Sequence, residues 1–521
     1  MKKFYFLFLG LFLCSVVHTQ IINIPDANFK TRLLQASSSN QIATNLLGNY
    51  FKIDANNDGE IQIVEALNVD FLYVDGNGSS NLITSLEGIL SFTNLRQLSC
   101  GDNKLTSIDL KGLKYLSVIN CEKNQLSLLD LGGLSYLSSL KCSYNQISTL
   151  DLSGFSYLQT LKCSHNQISN LDLKGLINFR ELDCQFNSMT SLDITGLQNL
   201  NFLLCANNQL SKLNLDGLTN LIELHCNSNQ LSILNLDGLT NLSRLDCYDN
   251  QLQSLNMDGL TKLSFLECES NQLKSLNMNG LVNLKYLVCA QNKITVLNLK
   301  GLTNLIELGC NNNELTSLNV SGLSNLKSIF CYENQLSSLD LSDLVSLENL
   351  VCRNNLLTIL DVSASPHLSI LECENNQLNN LFIKNSINES ATENLDFSNN
   401  PNLRHICCDE MEITDVQYLI KKYGYTNCIV NSSCSLNNQN FKFENYINLY
   451  PNPARNTLNI GVEEQTEVTS IAIYTILGQL VLVNPNLQKV TTVDISGLKT
   501  GNYFIKVNSD KGSANAKFIK E

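Results

Sequence analysis

Residues 221–241 read LIELHCNSNQLSILNLDGLTN, and the same frame returns along most of the chain. Its apolar positions are Leu221, Leu224, Cys226, Leu231, Leu234, Leu236 and Leu239, with Asn229 and Gly238 between them. The cysteine recurs at Cys100, Cys121, Cys142, Cys163, Cys184, Cys205, Cys226, Cys247, Cys268, Cys289, Cys310, Cys331, Cys352 and Cys373, always 21 residues apart. An asparagine follows each one three residues later, from Asn103 to Asn376. The alternation Leu224-x-Cys226 predicts a short strand with one side turned inward. One such coil cannot bury that side, whereas stacked coils share a continuous core. Parallel strands stack about 4.8 Å apart, so the array should span roughly 65–70 Å. The asparagine turns the chain off the strand, and its amide should bond backbone groups of its own and the neighbouring coil.

The unit L-x-x-L-x-C-x-x-N-x-L-x-x-L-x-L-x-G-L-x-x resembles the leucine-rich repeat, with cysteine where that family usually has the second strand leucine. The resemblance covers about residues 82–406. It implies an α/β-type leucine-rich-repeat solenoid, with a parallel β-sheet on the concave face and a convex side that is irregular or short β. The cysteine side chains would all point inward in one direction on neighbouring strands, which opposes disulfide torsions. Free, buried thiols acting as small hydrophobes are expected. A metal–thiolate stack is the alternative, but it lacks the C-x-x-C clusters such sites use.

The chain has 521 residues, too many for one compact core and suited to several domains or a repeat array, and 43% of them are hydrophobic. A net charge of −13 argues against nucleic acid or an anionic membrane surface as partner. Lys2, Lys3 and the apolar stretch from Phe4 to Val17 read as a signal peptide over 1–19, cleaved before Gln20. The apolar run is too short to span a bilayer, and no other segment could. Cys14 follows Leu13, where a lipoprotein signal wants a small residue, so Cys14 belongs to the discarded segment.

Residues 20–66 form an N-terminal cap. Within it, residues 54–65 match the calcium loop of the EF-hand. Asp54, Asn56 and Asp58 would supply oxygens, Gly59 the sharp turn, Glu60 its carbonyl and Glu65 two closing oxygens. Ca2+ is the expected cofactor, with Ala27 to Leu34 as entering helix; a capping turn without an ion is the other reading. Such caps resemble those of internalin-like bacterial repeat proteins. After Asn376 the period slips, and Leu403, Ile406 and Cys408 are expected to resume it, which places the solenoid at 67–406 and a C-terminal cap at 407–440. Cys407 and Cys408 are expected to pair with Cys428 and Cys434 in an undetermined order, with free thiols as the other reading.

From Phe441 on, short alternating runs separated by turns predict a small β-sandwich over 441–521. Its Tyr450-Pro451-Asn452-Pro453-Ala454 opening, Ile473-Tyr474 before Leu477-Gly478-Gln479, Leu498 with Gly501-Asn502-Tyr503, and terminal Lys517-Phe518-Ile519-Lys520 resemble the type A C-terminal sorting domain of the type IX secretion system. That resemblance implies export across the outer membrane, to the surface or beyond, by the type IX machinery.

Function is expected on the concave face. Tyr144, His165 and Phe186 occupy one column in three consecutive coils, and Phe202 follows on a neighbouring column. Tyr248, Phe265, Tyr286, Phe330 and Tyr332 form a second group, with Asp183, Glu223, Asp246, Glu267, Glu269 and Glu307 among them. Exposed aromatics ringed by carboxylates suit protein or carbohydrate recognition, and adhesion is one such role. The competing reading is that rings on a sheet pack against cross-strand neighbours, in a structural or envelope scaffold without a specific ligand. Catalysis has little support. The chain has five histidines, His18, His165, His225, His367 and His405, and no G-x-S-x-G, H-E-x-x-H or phosphate loop. Asp216, Asp237 and Asp258 follow the period and read as scaffold.

Overall fold

The computed structural model describes residues 20–78, 80–388, 394–434, 448–461, 468–475, 479–484, 492–509 and 512–521. The signal segment with Cys14 and His18, the tail residues Leu477 and Gly478, and 441–447 lie outside the described residues. The chain folds as two units, Met1–Ser432 and Ser433–Glu521.

In the first unit every cysteine of the repeat follows a three-residue strand, such as Glu223–His225, Arg244–Asp246 and Phe265–Glu267. These strands pair in parallel with a 21-residue offset, Leu224 opposite Leu245 and Leu245 opposite Leu266. They belong to one 17-stranded sheet, parallel except where Ala43–Asn45 pairs antiparallel with Val69–Tyr73. Leu224, Cys226, Leu231 and the equivalents in other coils are buried in one core. The repeat thiols from Cys100 to Cys373 are free and fully buried.

Asparagine closes each coil. Asn229 Nδ2 lies 3.1 Å from the carbonyls of Cys205 and Cys226 and 3.2 Å from that of Asn227. Its Oδ1 accepts from Leu210 N at 2.9 Å. Each amide thus joins two coils and gives buried carbonyls of the turn a partner. The residue before each asparagine adopts the left-handed conformation, with φ from 51° to 58° between Asp102 and Asn375. Non-glycine residues pay about 1–2 kcal/mol there, and the amide bridge holds the turn against that cost.

The loop side carries two further regularities. Asx turns such as Asn235 Oδ1 accepting from Asp237 N precede a left-handed glycine, here Gly238. A second, exposed asparagine row at Asn178, Asn199, Asn220 and Asn241 donates to carbonyls of the preceding coil at 2.8–2.9 Å. A parallel four-stranded sheet forms on this side from Ile359–Asp361, Asn380–Phe382, His405–Cys407 and Ile429–Asn431.

That sheet corrects the expected phase. Cys408 follows a strand paired with Asn380–Phe382, so it occupies the row of Leu341, Val362 and Ile383 rather than the cysteine row. The cysteine row continues instead through Phe397, after Leu395–Asp396 pairs with the strand ending at Glu372. Asn400 makes the next amide bridge, donating to Cys373 O at 3.1 Å and accepting from Leu378 N at 3.0 Å. The insertion at the cysteine row is therefore three residues, and a phenylalanine in place of cysteine hides it.

The expected pairing of four cysteines is corrected as well. Cys407 and Cys434 are disulfide-bonded, whereas Cys408 and Cys428 are free. Strand alternation turns adjacent residues to opposite faces. Cys408 enters the leucine core, out of step with Cys407.

At the other end, the helix Ala27–Leu34 buries Phe29 and Leu33 over the first coils. Asp26 caps it, accepting from Asn28 N and Phe29 N at 2.9 Å and from Thr84 N at 2.7 Å. Burial pushes the Asp26 carboxyl up, but these bonds prevail and hold it below its usual range.

The second unit contains two antiparallel sheets. Asn448–Tyr450, Thr457–Gly461 and Thr492–Asp494 form one, and Leu480–Asn484, Val468–Thr475, Gly501–Ser509 and Gly512–Lys520 the other. Leu458, Ile460, Ile473, Ile505 and Phe518 are its core. Asn452 ties the opening motif to the last strand, accepting from Ile519 N at 2.9 Å.

Candidate functional site: the outer face of the long sheet

Strand residues flanking each inward leucine point outward, and their neighbours are set by the 21-residue register. Tyr144, His165 and Phe186 all lie in the left-handed turn that follows the strand. Their rings stack as a column, with centroids 4.1 Å apart for each pair and planes within 13°. Tyr144 and Phe186 remain 49% and 44% exposed, so the stack faces solvent instead of closing a core.

Phe202 stands in the strand row between Glu181 and Glu223. Further along that row, Arg244 lays its guanidinium over Phe265 at 3.8 Å, and Phe265 contacts Tyr286 at 5.4 Å. Arg244 Nη2 also pairs with Asp246 Oδ2 at 3.0 Å, which His225 Nδ1 meets at 3.1 Å. Tyr248 sits among Asp246, Glu267, Glu269 and Asp249; burial, then these charges, push its hydroxyl above the usual range. Phe330 aligns with Gly309 and Val351. Tyr332 is covered by Arg353 at 4.1 Å, and Arg353 pairs with Glu372 at 3.3 Å. The structure thus brings Tyr144, His165 and Phe186 together and pairs Phe265 with Tyr286, while Phe202, Tyr248, Phe330 and Tyr332 stand at separate points along the sheet.

Sequence reading missed Arg244 and Arg353, whose ring partners Phe265 and Tyr332 lie one coil away. It also missed a row of exposed tyrosines at Tyr115, Tyr136 and Tyr157. These stand where later coils carry the exposed asparagine row. Tyr136 and Tyr157 stack at 6.2 Å. Arg96, Ser117, Ser138 and Gln159 join the three tyrosines around a cavity of about 330 Å³. The departure from asparagine was visible in the 21-residue period.

In the cap loop, Glu65 Oε1 accepts from Ala55 N at 2.7 Å and Oε2 from Gln62 N at 3.0 Å. Asp54 accepts from Asp58 N, Asn56 donates to Asp58, and Glu60 pairs with Lys30 at 2.6 Å. The donor set is all oxygen, as a hard cation requires. Among the described residues no three His, Cys, Asp or Glu side chains converge as a metal-holding group. Among the same residues no helix is long and apolar enough to cross a membrane.

Residues 448–521 match the family described as "Secretion system C-terminal sorting domain". This is the type IX secretion sorting domain, and it directs the chain across the outer membrane to the cell surface. No curated protein matches the sequence. Among solved structures, the functional domain of InlJ from Listeria monocytogenes, whose description includes a cysteine ladder, aligns with TM-score 0.56 and 21% identity over 96% of this chain and 98% of that one. An internalin, InlF, from the same organism aligns with TM-score 0.51 and 24% identity over 62% of this chain and 93% of its own. YopM from Yersinia enterocolitica aligns with TM-score 0.52 and 24% identity over 65% and 68%. At these identities the likeness establishes the fold, a leucine-rich-repeat solenoid.

Proposed function

For a secreted leucine-rich-repeat protein with internalin-like structural neighbours, we propose a binding role: the outer face of the long sheet takes a protein or glycan ligand, in adhesion at the cell surface. The observation that carries this reading is the column of Tyr144, His165 and Phe186. Three rings in successive coils, stacked at 4.1 Å yet open to solvent, offer large apolar area where the fold itself needs none. Any residue that tolerates the left-handed turn would serve the scaffold there, as Ser228 and Gln291 do elsewhere. Rigid aromatic area with few rotatable bonds is the chemistry of interface anchors. Leucine-rich-repeat proteins are typically non-enzymatic binding scaffolds, in keeping with this role. The proposal includes a calcium ion at the 54–65 loop, on the donor chemistry of Asp54, Asn56, Asp58, Glu60 and Glu65; Glu65 would exchange its N–H partners for the ion.

The test replaces Phe186, Tyr248 and Tyr332 by Ala, singly and together, in the chain from Gln20 on. Saturable adherence to host cells, glycan arrays and partner bacteria is then measured. Loss of adherence in the triple variant is expected, and unchanged adherence in every assay rejects the outer face as the ligand surface.

A further inference from the structure

Several carboxylates on the outer face are matched by a neighbouring cation. Glu181 pairs with Lys162 at 2.7 Å, Asp246 with Arg244 at 3.0 Å, Glu348 with Lys327 at 2.6 Å and Glu372 with Arg353 at 3.3 Å. Glu267 and Glu269 break this pattern. Both lie on one coil, flanking Cys268, and among the described residues neither has an ion pair. Arg244, the nearest cation in the adjoining strand, is held by Asp246. One oxygen of Glu269 is sequestered and accepts no hydrogen bond. Glu307, two strands further on, is likewise unpaired among the described residues.

Beyond these two carboxylates the face drops. In the two columns that flank the cysteine, the next two coils present Val288, Ala290, Gly309 and Asn311, with Val288 directly opposite Gly309 and with Tyr286 and Glu307 to one side. A methyl group built on Gly309 would already crowd Val288 at 3.3 Å, so the strip is tightly floored and low. Phe330 and Tyr332 bound its far side. At about 4.8 Å per strand, the walls stand three spacings, roughly 14 Å, apart. That gap admits one extended polypeptide with its side chains.

We infer that the strip between Glu267–Glu269 and Phe330–Tyr332 receives an extended segment of a protein partner, which presents a lysine or arginine to the two unpaired glutamates. The inference rests on the outer face being the ligand surface. Two like charges left side by side at a partly buried position are costly, and an incoming cation relieves them. The ring of Tyr248, which lies close enough to feel the charges of Glu267 and Glu269, adds attraction for that same cation. An anionic glycan would meet only repulsion here, so a basic peptide is the chemistry the strip selects. Burial pushes the Glu269 carboxyl up to about 7, with its own backbone bond opposing and the Glu267 and Asp246 charges adding. A bound cation reverses that shift.

The probe is an acetylated decapeptide of alternating lysine and serine, with its glutamate–serine counterpart and a neutral cellohexaose as comparisons. Titration calorimetry uses the chain from Gln20 to Glu521. The lysine peptide is expected to bind saturably and the glutamate peptide not at all. The isosteric pair Glu267→Gln and Glu269→Gln should weaken binding at least tenfold. Asp216→Asn with Asp237→Asn makes the same charge change on exposed loop positions and should alter affinity less than twofold. No saturable lysine-peptide binding, or equal loss in both double variants, overturns the inference. Hexasaccharide binding that falls in Tyr332→Ala but not in the glutamine pair overturns it too, while leaving the outer face as ligand surface. Loss of that wider reading shows instead as adherence indifferent to Phe186, Tyr248 and Tyr332.

Discussion

Asn229 donates its side-chain amide to the carbonyl of Cys205, 3.1 Å away in the preceding coil. Its oxygen meanwhile accepts from Leu210 N. Removing the amide strands a carbonyl and an N–H that are both sealed from water. Asn229→Leu should therefore destabilise by about 1–3 kcal/mol, read from urea unfolding. Asn178, in the exposed row, makes a comparable bond in contact with solvent. Asn178→Ala should cost about 0.5 kcal/mol, since water replaces the partner. Equal losses at the two positions would contradict the assignment of the inner row as the structural one.

Burial pushes the thiols of Cys121, Cys205, Cys289 and Cys331 up to about 12. At pH 8 they are protonated as well as inaccessible, and the thiolate is the reactive form. Iodoacetamide on the folded protein should leave the repeat column unmodified, with slow labelling confined to Cys428, which is half-buried. Mass spectrometry showing modified Cys184 in folded protein would refute a closed column.

The pH response of Glu269 has a defined sign. Its folded pKa, about 7, stands above the ordinary 4.5. The folded state thus holds the proton more tightly than the unfolded state. Stability from this group is full below pH 4.5 and declines as pH rises through 7. Glu269→Gln should melt higher than the parent at pH 8 and match it at pH 4, by under ~1 kcal/mol because the group is part-exposed. Identical melting differences at both pH values would exclude a raised carboxyl.

Calcium at the cap loop is checked by melting in CaCl2 against EDTA. A single loop of this donor set in an exported protein should bind with Kd on the order of 0.1–1 mM. Asp58→Asn should remove the calcium-dependent rise in melting temperature. A parent chain that melts identically with and without calcium has a plain capping turn there.

Deleting 448–521 removes the sorting domain but leaves the first unit's core intact, because the two cores share no residues. The shortened chain should accumulate inside the outer membrane with unchanged melting of the solenoid. Its appearance at the cell surface, by immunolabelling, would show a second export route.

The solenoid was legible because its 21-residue spacing demands one strand and one turn per coil, and leucine and asparagine mark both. Reading failed where a substitute kept the physics but changed the letter. Phe397 fills the cysteine row and Asn400 supplies the bridge, so the slip looked longer than it is. Cys408 misled because a thiol serves the leucine row equally well. For the site, the ring positions could be placed from the period. Their partners could not: Arg244 meets Asp246 and Phe265 through rotamers that only the assembled sheet decides.

Each amide bridge spans only its own coil and the one before. A gene encoding this chain could therefore gain or lose a whole 21-residue unit by recombination and still present native junctions at the splice. The platform could lengthen or shorten in steps of about 4.8 Å, carrying its surface residues along. Lineages could in this way fit their platform to ligands of different length without redesigning the interior.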